Sequence, residues 1–171
     1  MPRLNLSQVL SRIAVLKGEV AAWKARTMSS TTWTVSPLED NTPSYEFSDS
    51  YQTYILKVTE MTKLKSLLSV ANATNYITYK GTPDTLQSAI YALAEMKAQL
   101  SLLEGLHFLS KRTYTSETSS GYGENSKTYK VENHSAITSR ERDSVVQEMK
   151  DEFAALNAVL EAANHGTYIE I

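Results

Sequence analysis

The feature that most constrains this chain is a helical spacing of apolar residues that recurs in four separate segments. The first segment carries Leu6, Val9, Ile13, Leu16, Val20 and Trp23. The third and most regular segment carries Leu86, Ala89, Leu93, Met96, Leu100, Leu103 and His107. Alternating steps of three and four residues average about 3.5 residues per turn. This repeat is typical of helices that pack nearly parallel or antiparallel to each other along one apolar stripe.

The second and fourth segments repeat this spacing over similar lengths. The second carries Phe47, Tyr51, Tyr54, Ile55, Val58, Met61, Leu64, Leu68 and Ala71, and the fourth carries Val146, Met149, Phe153, Leu156, Leu160 and Ala163. No such helix can bury its apolar stripe alone. We therefore predict a mainly α protein, an antiparallel four-helix bundle of long helices with a small β-hairpin or arm between helices three and four.

The length of 171 residues suits one domain, so residues 1–171 are predicted to form a single helical-bundle domain. Irregular insertions are expected at 27–46 and 111–134. Helix three is predicted to start at Thr82 as N-cap, with Pro83 in the first helical position. Thr138 and Glu141 form the pattern of a capping box before helix four, and Gly166 is a typical helix stop.

The joint between helices two and three has the sequence "NATNYITYKG", from Asn72 to Gly81. Tyr76, Ile77 and Tyr79 predict a short extended segment across it. The structural interpretation is a simple connection at the end of the bundle. The functional alternative is a binding surface that contains Tyr76 and Tyr79.

A second polar stretch, "TMSSTTWTVSPLEDNTPS", has Trp33 at its centre. The residues "TTWTV" predict a short strand or an ordered loop. Trp33 is expected to fill an apolar gap, and the alternative is that it forms a platform for a ligand.

The third irregular stretch, "KRTYTSETSSGYGENSKTYKVEN", alternates Tyr and Thr with polar residues on both sides of a glycine-containing turn. This pattern predicts a β-hairpin or arm. A lone hairpin is marginal in water, so it needs a partner strand or surface. We predict that it reaches a second subunit and contributes to a homo-oligomer, a dimer or higher. The alternative is a flap over its own bundle.

Charge and composition exclude several kinds of function. The net charge of −2 gives no electrostatic reason to expect nucleic acid or an anionic membrane as partner. There is no cysteine, hence no disulfide framework and no thiolate metal site, which suits the cytoplasm. Arg12 and Lys17 interrupt the first apolar segment, so neither a signal peptide nor a membrane-spanning segment is expected there.

One metal site is conceivable, because bundles hold carboxylate-bridged metals through Glu-x-x-His pairs. Glu104 and His107 have this spacing, and Glu161 and His165 lie four positions apart. In antiparallel helices the two pairs would lie at opposite ends of the bundle. His107 is therefore interpreted as the end of an apolar stripe, and no cofactor or catalytic residue is predicted.

Two stretches resemble the septicolysin-like family of small bacterial helical proteins. They are "ATNYITYKGTPDTLQSAIYALAEMKAQLSLLEGL" and "VVQEMKDEFAALNAVLEAANHGTYIEI", and the resemblance covers roughly Ala73 to Ile171. It implies a helical fold and supplies no catalytic residues. The family label implies a haemolysin, a function that would need a membrane-inserting segment.

The function predicted from these patterns is noncatalytic: an oligomeric helical protein that acts through binding or assembly. The first alternative is a small-molecule enzyme or a bundle metalloprotein. A membrane-active, haemolysin-like protein is a more distant alternative.

Overall fold

A computed structural model of the chain describes residues 3–38, 40–108, 113–118 and 127–171. Its helices are α1 (Leu6–Ser29), α2 (Phe47–Thr74), α3 (Leu86–Glu104) and α4 (Ser139–Gly166). Its strands are β1 (Arg3–Asn5), β2 (Tyr76–Tyr79), β3 (Thr82–Thr85), β4 (Thr113–Thr118), β5 (Lys127–Glu132) and β6 (Tyr168–Glu170). The prediction of a mainly α protein is confirmed. The strands form three small antiparallel pairs within the described ranges.

The chain divides into two compact units. The first contains residues 1–91 and 157–171, and the second contains residues 92–156. Helices α3 and α4 each contribute residues to both units. None of the helices in the described ranges combines the length and the apolar run that a bilayer crossing requires.

Helix α1 begins with a complete capping box. The Asn5 side chain accepts a hydrogen bond from the Gln8 amide at 2.8 Å, and the Gln8 side chain accepts one from the Asn5 amide at 3.0 Å. Two amides of the first turn are thereby satisfied. The predicted stripe of α1 is confirmed over its first three turns, where four side chains are buried: Leu6, Val9, Ile13 and Leu16.

Helix α2 packs against α1 in the antiparallel direction. Arg12 of α1 pairs with Glu60 of α2, and Glu19 of α1 pairs with Lys57. The contact that lies later in α1 involves the earlier residue of α2, so the two helices run in opposite directions. The core of this pair is the cluster of Val9, Ile13, Leu16 and Leu64, with Leu4, Met61, Leu68, Ile169 and Ile171 packed against it.

Strands β1 and β6 pair the two ends of the described chain. Their register places Arg3 opposite Glu170 and Asn5 opposite Tyr168. The Arg3 and Glu170 side chains form an ion pair at 3.2 Å. Residues 3–5 and 168–170 therefore lie side by side where α1 begins.

Strands β2 and β3 form a tight hairpin in the joint between α2 and α3. The predicted extended segment at Tyr76–Tyr79 is confirmed. Its two-residue turn is Lys80 and Gly81, and both have positive φ, at 51° and 79°. Right-handed strand twist favours such turns, and glycine adopts this backbone at no steric cost.

The predicted start of α3 was wrong by three residues. Thr82 and Pro83 belong to β3, because their backbone pairs with β2 instead of entering the helix. The helix begins at Leu86, and the Thr85 hydroxyl accepts a hydrogen bond from the Ser88 amide at 3.1 Å. Thr85 is thus the capping residue.

The predicted features around α4 are confirmed. The Thr138 hydroxyl accepts from the Glu141 amide at 3.2 Å, and the Glu141 carboxylate accepts from the Thr138 amide at 2.7 Å. Together these bonds form the capping box. The helix ends at Gly166.

The two strands before α4 run antiparallel, with Thr113 opposite Glu132 and Thr118 opposite Lys127. The turn predicted at "SSGYGEN" lies outside the described residues. The first irregular insertion is shorter than the predicted 27–46, because α1 continues through Ser29.

Candidate interaction surface

Large apolar side chains are unusually exposed between the end of α1 and the middle of α2. In the described part of the chain 19 large apolar residues are exposed, and nine of them fall between residues 28 and 56. The nine are Met28, Trp33, Val35, Leu38, Tyr45, Phe47, Tyr51, Ile55 and Leu56. Clustered exposure of this kind marks interaction sites in folded proteins, whereas single exposed apolar residues do not.

The first turns of α2 form the most regular part of this stretch. Phe47, Tyr51 and Ile55 follow each other at intervals of four, so they share one side of the helix. The rings of Phe47 and Tyr51 stack with centroids 5.9 Å apart and an angle of 3° between their planes. The ring of Tyr54 continues the stack at 6.4 Å from Tyr51. The ring positions are thus fixed before any partner arrives.

A shallow groove of about 370 Å³ runs along the same helix turns. Its walls are Tyr51, Gln52, Ile55 and Leu56. This volume is that of one or two apolar side chains. We call Phe47, Tyr51, Ile55 and Leu56 the apolar α2 surface.

The charged residues in the stretch of sequence around the apolar α2 surface all have one sign. Between residues 27 and 56 the chain contains no lysine or arginine, and it contains Glu39, Asp40, Glu46 and Asp49. Glu46 and Asp49 are exposed, and neither is ion-paired with any cation in the described ranges. Asp40 instead accepts hydrogen bonds from the hydroxyl and amide of Thr42, which hold the pKa of its carboxyl below the usual value.

An arginine and two rings close the space between α1 and the start of α2. The guanidinium of Arg26 lies 4.4 Å from the ring centre of Trp23 and 4.8 Å from that of Tyr45. The two rings meet edge to face at 6.1 Å. Cation–π contact with two rings stabilises the Arg26 guanidinium in this position.

Four charged side chains bridge α1 and α2 further along. Arg12 donates from Nε and Nη2 to Oε1 of Glu60 at 3.0 and 2.7 Å. Its Nη1 lies 3.6 Å from Oε1 of Glu19, whose Oε2 is 2.8 Å from Nζ of Lys57. The charges alternate along this chain of contacts. The hydrogen bond to Glu60, with the charges of Glu60 and Glu19, raises the pKa of Arg12, and the hydrogen bond from Lys57 lowers the pKa of Glu19.

The lowered pKa of Glu19 makes the stability of the folded protein depend on pH in the acidic range. Because the folded pKa lies below the unfolded one, the ion pair stabilises fully above the unfolded pKa, near 4.5, and its contribution is lost as pH falls through the folded pKa. We expect Glu19→Gln to flatten the loss of stability below pH 4.5, measured as urea midpoints at several pH values. Glu95→Gln, at an exposed position of α3, is the control and should keep the wild-type slope. Identical slopes for all three proteins would contradict the expectation.

A second groove of about 370 Å³ lies beside this charge cluster. Leu4, Leu64 and Ile171 supply its apolar wall, and Gln8, Arg12, Glu60 and Lys63 its polar wall. The charges of Arg12 and Glu60 already pair with each other. Their arrangement therefore stabilises the contact between α1 and α2.

The predicted aromatic candidates differ in exposure. Trp33 is 55% exposed, so the expectation that it fills an apolar gap was wrong. Tyr76 is exposed on β2, whereas Tyr79 is half-buried and has the Lys80 ammonium 5.3 Å from its ring centre. Because side chains alternate along a strand, Tyr76 and Tyr79 lie on opposite faces of the hairpin.

Each of the predicted metal candidates has its own setting in the structure. Helix α3 ends at Glu104, so His107 lies beyond it and the two do not share a helical face. Glu104 forms an ion pair with Lys150 at 2.7 Å, and Glu161 accepts a hydrogen bond from Asn157. His165 is exposed in the last turn of α4. Within the described ranges, no three His, Cys, Asp or Glu residues come close enough to hold a metal ion.

A pocket that the sequence did not indicate contains His107 in another setting. His107 and His134 line a space of about 420 Å³ with Leu106, Phe108, Ser135, Ala136 and Ile137. Nε2 of His134 lies 3.6 Å from a Glu132 carboxylate oxygen. The two histidines come from separate loops on either side of the β4–β5 pair, and no local spacing connects them.

The fold defines a class: mainly helical proteins with small antiparallel strand pairs. A solved structure of a functionally unknown conserved protein from Corynebacterium diphtheriae is similar in fold, with a TM-score of 0.72 and 11% sequence identity. The match covers 99% of this chain and 100% of that protein. At this identity the similarity concerns the fold alone. The chain matches no protein-family model and no curated protein.

Proposed function

We propose that this chain is a noncatalytic protein that functions by binding and assembly, as a homo-oligomer whose four helices form an antiparallel bundle in each subunit. The observation that carries the proposal is the apolar α2 surface. Four large apolar side chains on consecutive turns of α2 are 42–69% exposed, and stacking holds two of their rings in place. Burial of such a surface against another chain is favourable by about 25 cal/mol per Å².

The uneven burial of α3 supports the same proposal. Its stripe is buried at Leu86, Ala89 and Leu93, but Met96 and Leu100 on the same stripe are only half-buried. The stripe has the predicted phase, yet its second half is incompletely covered. A further subunit would supply the missing cover.

The arm predicted at 111–134 is a second candidate for subunit contact. Strands β4 and β5 pair along six residues each, and a two-stranded ribbon needs additional packing to be stable. We propose that it contributes to the oligomer, and that the protein acts in the cytoplasm, which the absence of cysteine fits.

The proposal is tested by the mass of the protein in solution. Light scattering after size exclusion should give a multiple of the 19.1 kDa chain mass for the wild type. Tyr51→Ala combined with Ile55→Ala should shift this mass towards one chain, because the variant loses exposed apolar area on α2. Circular dichroism should show unchanged helicity.

The matched control is Tyr91→Ala, which removes a ring that is 64% exposed on α3. It should leave the mass unchanged. A wild type that stays at 19.1 kDa over the accessible concentration range would refute the proposal.

A further inference from the structure

The side of α2 that faces away from its core carries a regular line of exposed, uncharged residues. They follow each other at alternating steps of four and three: Ser48, Gln52, Ile55, Thr59, Thr62 and Ser66. The buried Leu64 lies nine positions after Ile55, which is half a turn around the helix. We call these six residues the outer seam of α2.

Charged residues occur in α2, but none of them lies on the outer seam. They are Asp49, Lys57, Glu60, Lys63 and Lys65. The centres of protein–protein interfaces are depleted of charge, whereas the solvent side of a helix ordinarily is not. Steps of four and three are also the spacing at which two helices pack along one line. The outer seam therefore has both the spacing and the composition of a contact between helices.

The apolar groove of α2 lies on this seam. Gln52 and Ile55 belong to the seam, and Tyr51 and Leu56 flank it on opposite sides. Leu56 is the most exposed of the four residues of the apolar α2 surface, at 69%. The apolar side chains on the outer side of α2 are thus concentrated where a second helix would lie.

One flank of the seam carries two opposite charges at equal distances from Leu56. Asp49 precedes Leu56 by seven positions and Lys63 follows it by seven, so all three lie on one line along the helix. Asp49 and Lys63 are exposed, and no ion pair within the described ranges involves either of them. This arrangement is complementary to itself when it is reversed in direction.

We propose that the outer seam of α2 packs antiparallel against the same seam of a second copy, with Leu56 at the two-fold axis. The inference rests on the proposed function and names the surface through which the copies meet. In this register Asp49 of each copy faces Lys63 of the other, and Leu56 faces Leu56. A parallel contact would instead place Asp49 against Asp49, which is unfavourable. The interface is isologous, so it closes as a dimer.

Charge reversal tests the register. Asp49→Lys and, separately, Lys63→Asp should each weaken self-association roughly tenfold, measured by sedimentation equilibrium, because each places two like-charged pairs in the dimer. The two variants mixed together, and the chain that carries both substitutions, should associate within about threefold of the wild type, because opposite charges face each other again. Lys97→Asp, at an exposed position of α3, is the matched control and should have little effect. Circular dichroism checks that each variant keeps its helicity.

Cross-linking tests the position of the two-fold axis without changing a charge. The chain has no cysteine, so a single cysteine can be introduced. A short bifunctional maleimide should join Leu56→Cys into covalent dimers. Val70→Cys is the matched control, because Val70 is also exposed and lies 14 positions further along the same line. Its two copies would be about 42 Å apart, too far for the reagent.

The outcomes separate this inference from the proposed function. A wild-type oligomer that both charge reversals leave intact, reversal variants that do not recover when mixed, or equal cross-linking at positions 56 and 70 would overturn the antiparallel pairing while the proposed function stands. A monomeric wild type would overturn both.

Discussion

Leu16→Ala is expected to lower the free energy of unfolding by about 2–5 kcal/mol, far more than a substitution at an exposed position of the same helix. Leu16 is fully buried in α1 and belongs to the cluster with Val9, Ile13 and Leu64. The substitution removes apolar burial and leaves a cavity between two helices that are held in place by side-chain ion pairs. The contact therefore cannot collapse freely around the smaller residue.

Urea denaturation followed by circular dichroism measures this effect. Leu102→Ala is the matched control, since it makes the same change in α3 at a position that is 67% exposed. It should change stability by less than about 0.5 kcal/mol, as surface substitutions usually do. Equal losses for the two variants would show that the cluster around Leu16 does not dominate the stability of this unit.

Alanine is expected to have opposite effects at two glycines. Gly81→Ala should destabilise by about 1–2 kcal/mol, because its φ of 79° is unfavourable for a residue with a Cβ. Gly18→Ala should stabilise by about 0.5–1 kcal/mol, because it lies inside α1, where alanine is the better helix former. A Cβ at either position would meet no atom within 4 Å. Backbone conformation alone therefore decides whether alanine stabilises or destabilises the protein at each position.

Thermal unfolding of the two variants at low protein concentration provides the test. One kcal/mol corresponds to about 2–4 °C for a chain of this size. The two melting temperatures should move in opposite directions from the wild type. A loss at Gly18 as large as that at Gly81 would mean that α1 is not regular at this position.

Apolar spacing predicted the helices well where the stripe was narrow. In α1 the four residues from Leu6 to Leu16 are buried as expected, because a narrow stripe leaves one possible orientation. In α2 the predicted stripe was broad, and periodicity cannot decide which part of a broad stripe is covered. Leu64 and Ala71 are buried there, whereas Phe47, Tyr51 and Ile55 are exposed. The candidate surface therefore consists largely of residues that the pattern assigned to the core.

The local sequence predicted helix caps correctly only where the capping residues do not also belong to a strand. Thr138 forms its capping box because the residues before it are irregular. Thr82 has the same chemistry, but Lys80 and Gly81 form a hairpin turn that brings the following residues into β3. The missed signal was Gly81 between two short extended segments, because glycine readily adopts the positive φ that a two-residue turn requires.

The absence of basic residues between positions 27 and 56 was visible in the sequence without the structure. Its meaning depended on knowing that the apolar residues of the same stretch are exposed. The pairing of Arg12 with Glu60 and of Glu19 with Lys57 was not predictable, since each joins residues far apart in the chain.

The pairing of β1 with β6 has a consequence for the order in which the protein can be completed during synthesis. Ile169 and Ile171 pack against the cluster of Val9, Ile13, Leu16 and Leu64, which α1 and α2 contribute. The ribosome therefore makes the two helices long before it makes the residues that cover them. Until residues 169–171 have been added, this side of the cluster remains open to solvent and to other nascent chains.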